Sequence, residues 1–187
     1  MRAGIRRFPL LGFICSFAMA CHTASPGRPP PLIRESLVGA WTLTGIEYEG
    51  PQGPLVDPFY QAGSTGILIY EPGGLMSVHI SAPHRTAWEP AAARLPPSSS
   101  DPDVGRKAEA FDSYYAYYGT WTFDARTSVV THHVESSLVP GEVGVDYTQS
   151  VTLQNGRLIF TNRSTDQGEP RVRRKVWERL SAAGSRR

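Results

Sequence analysis

Eight short segments of the sequence alternate apolar and polar residues or form brief apolar runs, a pattern typical of β-strands. Tight turns are indicated by EPGG at 71–74 and QNG at 154–156, and a longer connection by PGEVG at 140–144. Antiparallel strands with short connections favour a closed up-and-down barrel, because closure removes the exposed edges of a sheet. We therefore predict an all-β fold with one short helix. The predicted strands are 37–48, 66–70, 75–80, 119–123, 128–138, 145–154, 157–162 and 172–180.

One long segment interrupts the strands. Residues 81–106 are rich in proline and too long for a plain hairpin loop. In residues 107–118, aromatic side chains including Phe111, Tyr114 and Tyr118 recur at a spacing of three and four, which predicts an amphipathic helix. Such a helix could lie across the mouth of the barrel, or it could pack on the outside or the closed end. The sequence does not distinguish these positions, since each buries the same aromatic face.

The N-terminus has the features of an export signal. Three arginines precede an apolar run over residues 8–19, which is too short to span a bilayer. Ala18-Met19-Ala20-Cys21 resembles a bacterial lipobox, which implies cleavage before Cys21 and lipidation of that cysteine. The alternative is an ordinary secretion signal that leaves Cys21 free. Since the other cysteine, Cys15, lies in the apolar run, no intramolecular disulfide is expected after processing.

These features divide the chain into four parts. We predict a signal peptide at 1–20, a lipidated cysteine with a proline-rich tether at 21–35, a β-barrel at 36–181 and a flexible tail at 182–187. The expected location is the bacterial cell envelope, with the lipid anchor in a membrane. His22 directly after Cys21 favours the outer membrane, with the barrel facing the periplasm.

The charge balance argues against a nucleic-acid partner. The chain has 19 basic and 17 acidic side chains, and loss of Arg2, Arg6 and Arg7 leaves 16 basic against those 17. A nucleic-acid-binding domain is expected to carry a strong positive excess. We therefore interpret the basic cluster RVRRKVWER at 171–179 as the solvated face of a strand.

Two adjacent histidines occur in one predicted strand, in the sequence VVTHHVESS at 129–137. Neighbouring side chains of a strand point to opposite faces, so His132 and His133 cannot bind one ion together. The face with Val130, His132 and Val134 is the more apolar, and we assign it to the interior. Three roles fit His132: a neutral ring bonded to a tyrosine or a carbonyl, a polar contact for a ligand, or a general acid or base.

Catalytic and metal-binding motifs are absent from the sequence. It contains no HExxH, paired CxxC, Gly-x-Ser-x-Gly or glycine-rich phosphate loop, so we expect no cofactor. Met76, Val78 and Ile80 share one face of a predicted strand and His79 lies on the other. A site that combines His79 with His133 and Glu135 on a neighbouring strand is the one metal arrangement left open.

The sequence resembles a known family. Gly39-x-Trp41 in LVGAW at 37–41 is similar to the lipocalin signature, in which the tryptophan closes one end of a barrel. GILIYEPGGLMSVHIS at 66–81, YYAYYGTWTFD at 114–124, VVTHHVESSLVPGEVGVD at 129–146 and KVWERL at 175–180 extend the likeness to the bacterial and fungal lipocalin-like domain family.

The resemblance implies a barrel with an internal cavity. In lipocalins a basic side chain on the last strand packs over the first-strand tryptophan. Arg179 is the best match for that role here, and Arg174 and Lys175 are the alternatives.

We therefore expect the barrel to bind a small, largely apolar molecule. The expected apolar wall is Met76, Val78, Val130, Val134, Val151 and Leu153, and the expected orienting residues are His132, Tyr70, Tyr114 and Tyr118. Two alternatives remain open. One is a barrel enzyme (an isomerase, cyclase or hydrolase) in which a cavity histidine and tyrosine move protons, and the other is a structural envelope protein with a filled barrel. The oligomeric state is not predicted.

Overall fold

The computed structural model describes residues 31–87 and 104–180. The predicted signal peptide, Cys21, most of the tether and the tail at 182–187 lie outside the described residues. Among the residues described, no helix has the length and hydropathy that a bilayer crossing requires.

The described chain is mostly strand, as the alternating pattern predicts. Two short helices accompany the strands: α1 is Arg34–Leu37 and α2 is Val104–Asp112. A 3-10 turn, Pro140–Glu142, lies between the sixth and seventh strands. The strands are β1 (Gly39–Gly50), β2 (Gly53–Pro54), β3 (Thr65–Tyr70), β4 (Leu75–Ser81), β5 (Tyr114–Asp124), β6 (Val129–Ser137), β7 (Asp146–Gln154), β8 (Arg157–Asp166) and β9 (Glu169–Arg179).

Pairing of the first and last long strands closes the sheet. Every neighbouring pair from β3 to β9 is antiparallel, and β1 pairs with both β3 and β9. The β1–β9 register runs from Trp41 opposite Arg179 to Glu49 opposite Val172. All strands except the two-residue β2 therefore form a closed eight-stranded barrel, which confirms the predicted fold class.

The prediction of a helix over residues 107–118 is wrong in its second half. Helix α2 ends at Asp112 and β5 begins at Tyr114, with Tyr115 opposite Ile80 and Tyr117 opposite Val78 of β4. Residues 115 and 117 also follow the two-residue period of a strand, so the segment fits the period of a helix and that of a strand. Hydrogen bonding to β4 decides in favour of the strand. Helix α2 buries none of its residues, so its aromatic face does not plug the barrel.

One end of the barrel is closed by α1. Leu37, the last residue of this helix, is completely buried. The indole Nε1 of Trp41 donates a hydrogen bond of 2.8 Å to the carbonyl of Leu37, which ties the helix to the start of β1. Trp41 lies 1 % exposed beneath it. The tryptophan therefore belongs to the floor of the barrel.

Arg179 covers this tryptophan from the last strand. Its guanidinium lies 4.2 Å from the centroid of the Trp41 ring and donates hydrogen bonds to the carbonyls of Ser36 (2.8 Å) and Val38 (2.7 Å). Gly39 has a φ of +129°, and a Cβ there would lie 2.6 Å from Nη1 of Arg179. Glycine at position 39 therefore makes room for the arginine.

Candidate ligand-binding site

The apolar half of the barrel interior is packed solid. Met76, Val78, Val130 and Val134 are between 0 and 4 % exposed and join the same cluster of buried side chains as Trp41. Such low exposure is typical of a close-packed core. Whether these four side chains contact a ligand stays a prediction.

The other two predicted wall residues differ from each other. Val151 is buried, whereas Leu153 is 41 % exposed, although it lies opposite the buried Leu158. Leu153 lies at the end of β7, beside the exposed turn at 155–156, where the strand runs beyond the packed core.

The open half of the barrel contains a cavity of about 300 Å³. Four tyrosines line it, three from strands and one, Tyr60, from the loop between β2 and β3. Tyr117 links the strand tyrosines, with its ring centroid 5.5 Å from that of Tyr115 and 5.7 Å from that of Tyr147. Polar groups complete the lining: Gln149, Asn162, Arg163, Ser164, Arg173 and Lys175. The cavity is therefore aromatic and polar, where the sequence predicted an aliphatic wall.

His132 lies below this cavity between two tyrosines. It is 2 % exposed and points inward, as the alternation of β6 predicts. The hydroxyl of Tyr70 is 2.5 Å from Nε2 and the hydroxyl of Tyr117 is 2.8 Å from Nδ1. Burial, reinforced by the charge of Lys175, lowers the pKa of His132 to about 3. The imidazole is therefore neutral, so one nitrogen donates to a hydroxyl and the other accepts from one.

Lys175 places a positive charge inside the barrel. It lies opposite Phe160 of β8, and its Nζ is 5.0 Å from the centroid of the Tyr60 ring. Among the described residues, its ammonium group makes no hydrogen bond and no ion pair. Burial and, to a smaller extent, the charge of Arg173 lower the pKa of Lys175 to about 8, while Asp57 and Glu142 oppose the shift.

Arg173, the other interior cation, is neutralised. Its guanidinium forms two hydrogen bonds with Asp57, Nε to Oδ2 at 2.5 Å and Nη2 to Oδ1 at 3.0 Å. Asp57 also accepts hydrogen bonds from the backbone N–H groups of Phe59 (2.8 Å) and Tyr60 (3.2 Å). The pair therefore fixes the loop that carries Tyr60 over the cavity.

Glu142 is the second carboxylate at the mouth. It is the last residue of the 3-10 turn, and it accepts hydrogen bonds from the hydroxyls of Tyr115 (3.1 Å) and Ser137 (2.7 Å). Burial raises the pKa of Tyr60, Tyr115 and Tyr117. The phenols therefore keep their protons and act as hydrogen-bond donors around the cavity.

The sequence model of the lipocalin-like domain matches residues 38–180, which span all eight strands of the barrel. The chain belongs to the lipocalin-like domain family. No curated protein sequence matches the chain significantly.

Several predicted site residues lie on the outer surface of this lipocalin-like barrel. Tyr118 is 54 % exposed. Tyr114 bonds through its hydroxyl to Nδ1 of His79 at 2.9 Å, away from the cavity. Their predicted place at the mouth depended on the helix that the structure replaces with β5. Whether either one contacts a ligand stays a prediction.

The outer histidines have separate partners. His133 bonds through Nδ1 to Asp146 at 2.7 Å, whereas Nε2 of His79 bonds to Ser77 at 2.8 Å. Within residues 31–87 and 104–180, no three His, Cys, Asp or Glu side chains lie close enough together to hold a metal ion. The combination of His79, His133 and Glu135 is therefore not assembled in the part of the lipocalin-like domain that the structure describes.

The basic run of β9 contributes to the cavity. The basic cluster at 171–179 is not a wholly solvated strand face, because Arg173 and Lys175 line the cavity. The alternation of the strand indicates this inward position. Lys175 and Arg173 lie two and four positions before Trp177 and therefore share the face of this buried tryptophan. No pattern in the sequence pointed to Tyr60, which a loop brings in.

Proposed function

We propose that this lipocalin-like protein binds a small organic molecule in the tyrosine-lined cavity. The observation that carries the proposal is the space of about 300 Å³ that remains between four tyrosine rings above a solidly packed floor. Its volume falls at the lower end of the range for small-molecule sites, which lie between roughly 300 and 1,000 Å³. A structural protein with a filled barrel would have no reason to leave this space.

The cavity supports a ligand with a flat apolar body and polar substituents. Aromatic rings offer large apolar faces together with hydroxyl groups that donate and accept hydrogen bonds. The aliphatic side chains are packed in the floor, so a purely apolar molecule would leave Lys175 and Gln149 without partners. We therefore propose a ligand more polar than the sequence alone suggested.

Mass spectrometry of small molecules extracted from the natively produced protein tests this proposal. Asn162→Trp should fill the cavity, because Asn162 lines it opposite Arg173. Thr148→Trp is the matched control, since Thr148 is exposed on β7. We expect one bound molecule in the wild type and in the control, and its loss in Asn162→Trp at an unchanged melting temperature. Absence of any bound molecule from the wild type would contradict the proposal.

An acid–base role is a second candidate, favoured by the contacts of His132. Two tyrosine hydroxyls lie at 2.5 and 2.8 Å from its ring nitrogens, which meets the geometric requirement for proton transfer. Binding is the better supported function, because both nitrogens are committed to these hydroxyls and the ring is buried below the cavity. An enzyme would need the Tyr117 hydroxyl to leave His132 and reach a substrate.

We further propose that the protein is exported and lipid-anchored through Cys21. The support is the basic and apolar N-terminal segment followed by the lipobox-like Ala18-Met19-Ala20-Cys21. Fractionation of bacteria that express the full chain should place the wild type with the membranes, and Cys21→Ser with the soluble proteins or as an uncleaved precursor. Recovery of both proteins in the same fraction would refute the anchor.

A further inference from the structure

Lys175 and Gln149 are polar side chains of the cavity for which the described residues supply no hydrogen-bonding partner. Among the described residues, neither the ammonium of Lys175 nor the side-chain amide of Gln149 makes a hydrogen bond or an ion pair. Gln149 is only 6 % exposed and lines the cavity together with Lys175. Burial of a charge or an amide without a partner is unfavourable by several kcal/mol, so such groups normally occur where something else completes them.

The neighbouring carboxylates cannot complete Lys175, because they are engaged elsewhere. Asp57 holds Arg173 through two hydrogen bonds, and Glu142 accepts from Tyr115 and Ser137. Arg173 and Asp57 cancel each other's charge. Among the described residues, Lys175 therefore carries an inward-facing positive charge that no carboxylate pairs, whereas Arg163, the third cation of the lining, is exposed.

We infer that the ligand of this cavity carries one carboxylate group, which pairs with the ammonium of Lys175 and accepts a hydrogen bond from the amide of Gln149. This inference rests on the proposed function, since it names the chemical class that the cavity selects. A single carboxylate suits the site better than a phosphate monoester, because one cation balances one negative charge and a phosphate monoester carries nearly two. The tyrosine rings then hold the body of the ligand.

Binding of a carboxylate in this cavity should depend on pH. The pKa of Lys175 is about 8, so this lysine loses its charge within the range where the protein can be studied. Burial raises the pKa values of Tyr60, Tyr115, Tyr117 and Tyr147 and lowers that of His132. None of these five groups changes charge between pH 7 and 9, so a loss of carboxylate binding in that range reports on Lys175.

A pair of probes of the same shape tests the inference. Naphthalene-2-carboxylate and naphthalene-2-carboxamide differ in charge but hardly in size, and calorimetry gives the affinity of each. At pH 7 the carboxylate should bind the wild type at least about tenfold more tightly than the amide, the value of one charge-assisted hydrogen bond. Lys175→Met should remove this preference and keep the binding of the amide. Arg174→Met is the matched control, because Arg174 points outward and pairs with Glu49 at 2.8 Å.

The pH profile gives an independent readout. The preference for the carboxylate should decline above pH 8 in the wild type and persist to pH 9.5 in Lys175→Arg, whose guanidinium does not lose its proton there. Equal affinity of the wild type for the two probes would overturn the inference and leave the proposed function standing. Failure of both probes to bind would overturn the inference and count against the proposed function as well.

Discussion

The hydroxyl of Tyr117 lies 2.8 Å from Nδ1 of His132, while the ring of the same tyrosine lines the cavity. Tyr117 therefore separates two environments within one barrel. Below it, His132 and Tyr70 form a hydrogen bond inside the buried core. Above it, Lys175 and Gln149 are left for a ligand.

Acid should destabilise the protein through His132. Its pKa is about 3 in the fold and about 6.5 in the unfolded chain, so between these values only the unfolded chain takes up the proton. The stabilisation is complete above pH 6.5 and is lost as the pH falls towards 3. Urea titrations between pH 6 and 4 should show a decrease in the free energy of unfolding that is steeper by up to about 1.4 kcal/mol per pH unit than in His132→Asn.

The matched control for this prediction is His84→Asn, because His84 is exposed and Asn tolerates its φ of 58°. The control should keep the steep slope of the wild type. A His132 imidazole resonance that titrates near pH 6.5 in an NMR experiment would contradict the prediction.

Removal of the Tyr117 hydroxyl should weaken the core. Tyr117→Phe leaves one nitrogen of the buried His132 without a partner, and we expect a loss of about 1–3 kcal/mol in the free energy of unfolding. Tyr118→Phe, one position along at an exposed site, should change it by less than about 0.5 kcal/mol. Urea unfolding with an unchanged m-value measures both. Equal effects of the two substitutions would show that the hydrogen bond to His132 contributes nothing.

Replacement of Arg179 should loosen the closed end. Arg179→Met removes two hydrogen bonds to backbone carbonyls and the contact with the Trp41 ring, and we expect a cost of about 1–3 kcal/mol in thermal or urea unfolding. Arg157→Met serves as the comparison, because Arg157 makes only an exposed ion pair with Glu178. That change should cost less than about 1 kcal/mol. The prediction fails if the two arginines prove equally dispensable.

Gly119 should not tolerate any side chain. A Cβ at this position would lie 2.0 Å from the carbonyl oxygen of His133, where β5 is irregular between Tyr118 and Gly119. Gly119→Ala must push apart β5 and β6, so we expect a loss of more than about 2 kcal/mol or failure to fold. Gly141→Ala, which meets open space in the 3-10 turn, should be close to neutral by the same urea assay. A stable Gly119→Ala protein would show that the two strands can separate at little cost.

Most of the barrel was predictable because its strands carry two independent signals. Alternation marks the strands, and glycine- or proline-containing turns mark their ends, as at 71–74 and 154–156. The start of β5 was not predictable, since the aromatic residues at 114, 115 and 118 fit a helix and a strand equally well. Pairing with β4 over residues 75–81 decides the outcome, and such long-range pairing has no local signature.

The candidate site was less predictable than the fold. Alternation placed His132 inside but could not show that Tyr70 and Tyr117 would occupy both of its nitrogens. A basic run normally faces water, so Lys175 was interpreted as part of a solvated surface. Only the closure of the barrel turns that face of β9 inward.

The contact between Val38 and Arg179, separated by 141 positions, has a consequence for synthesis. Nearly the whole domain must leave the ribosome before β1 can pair with β9. Until then the nascent chain has two strand edges without hydrogen-bonding partners. It stays incompletely folded and accessible to chaperones. A protein truncated ahead of β9 would lose the β1–β9 pairing, the arginine that covers Trp41 and the lysine of the cavity together.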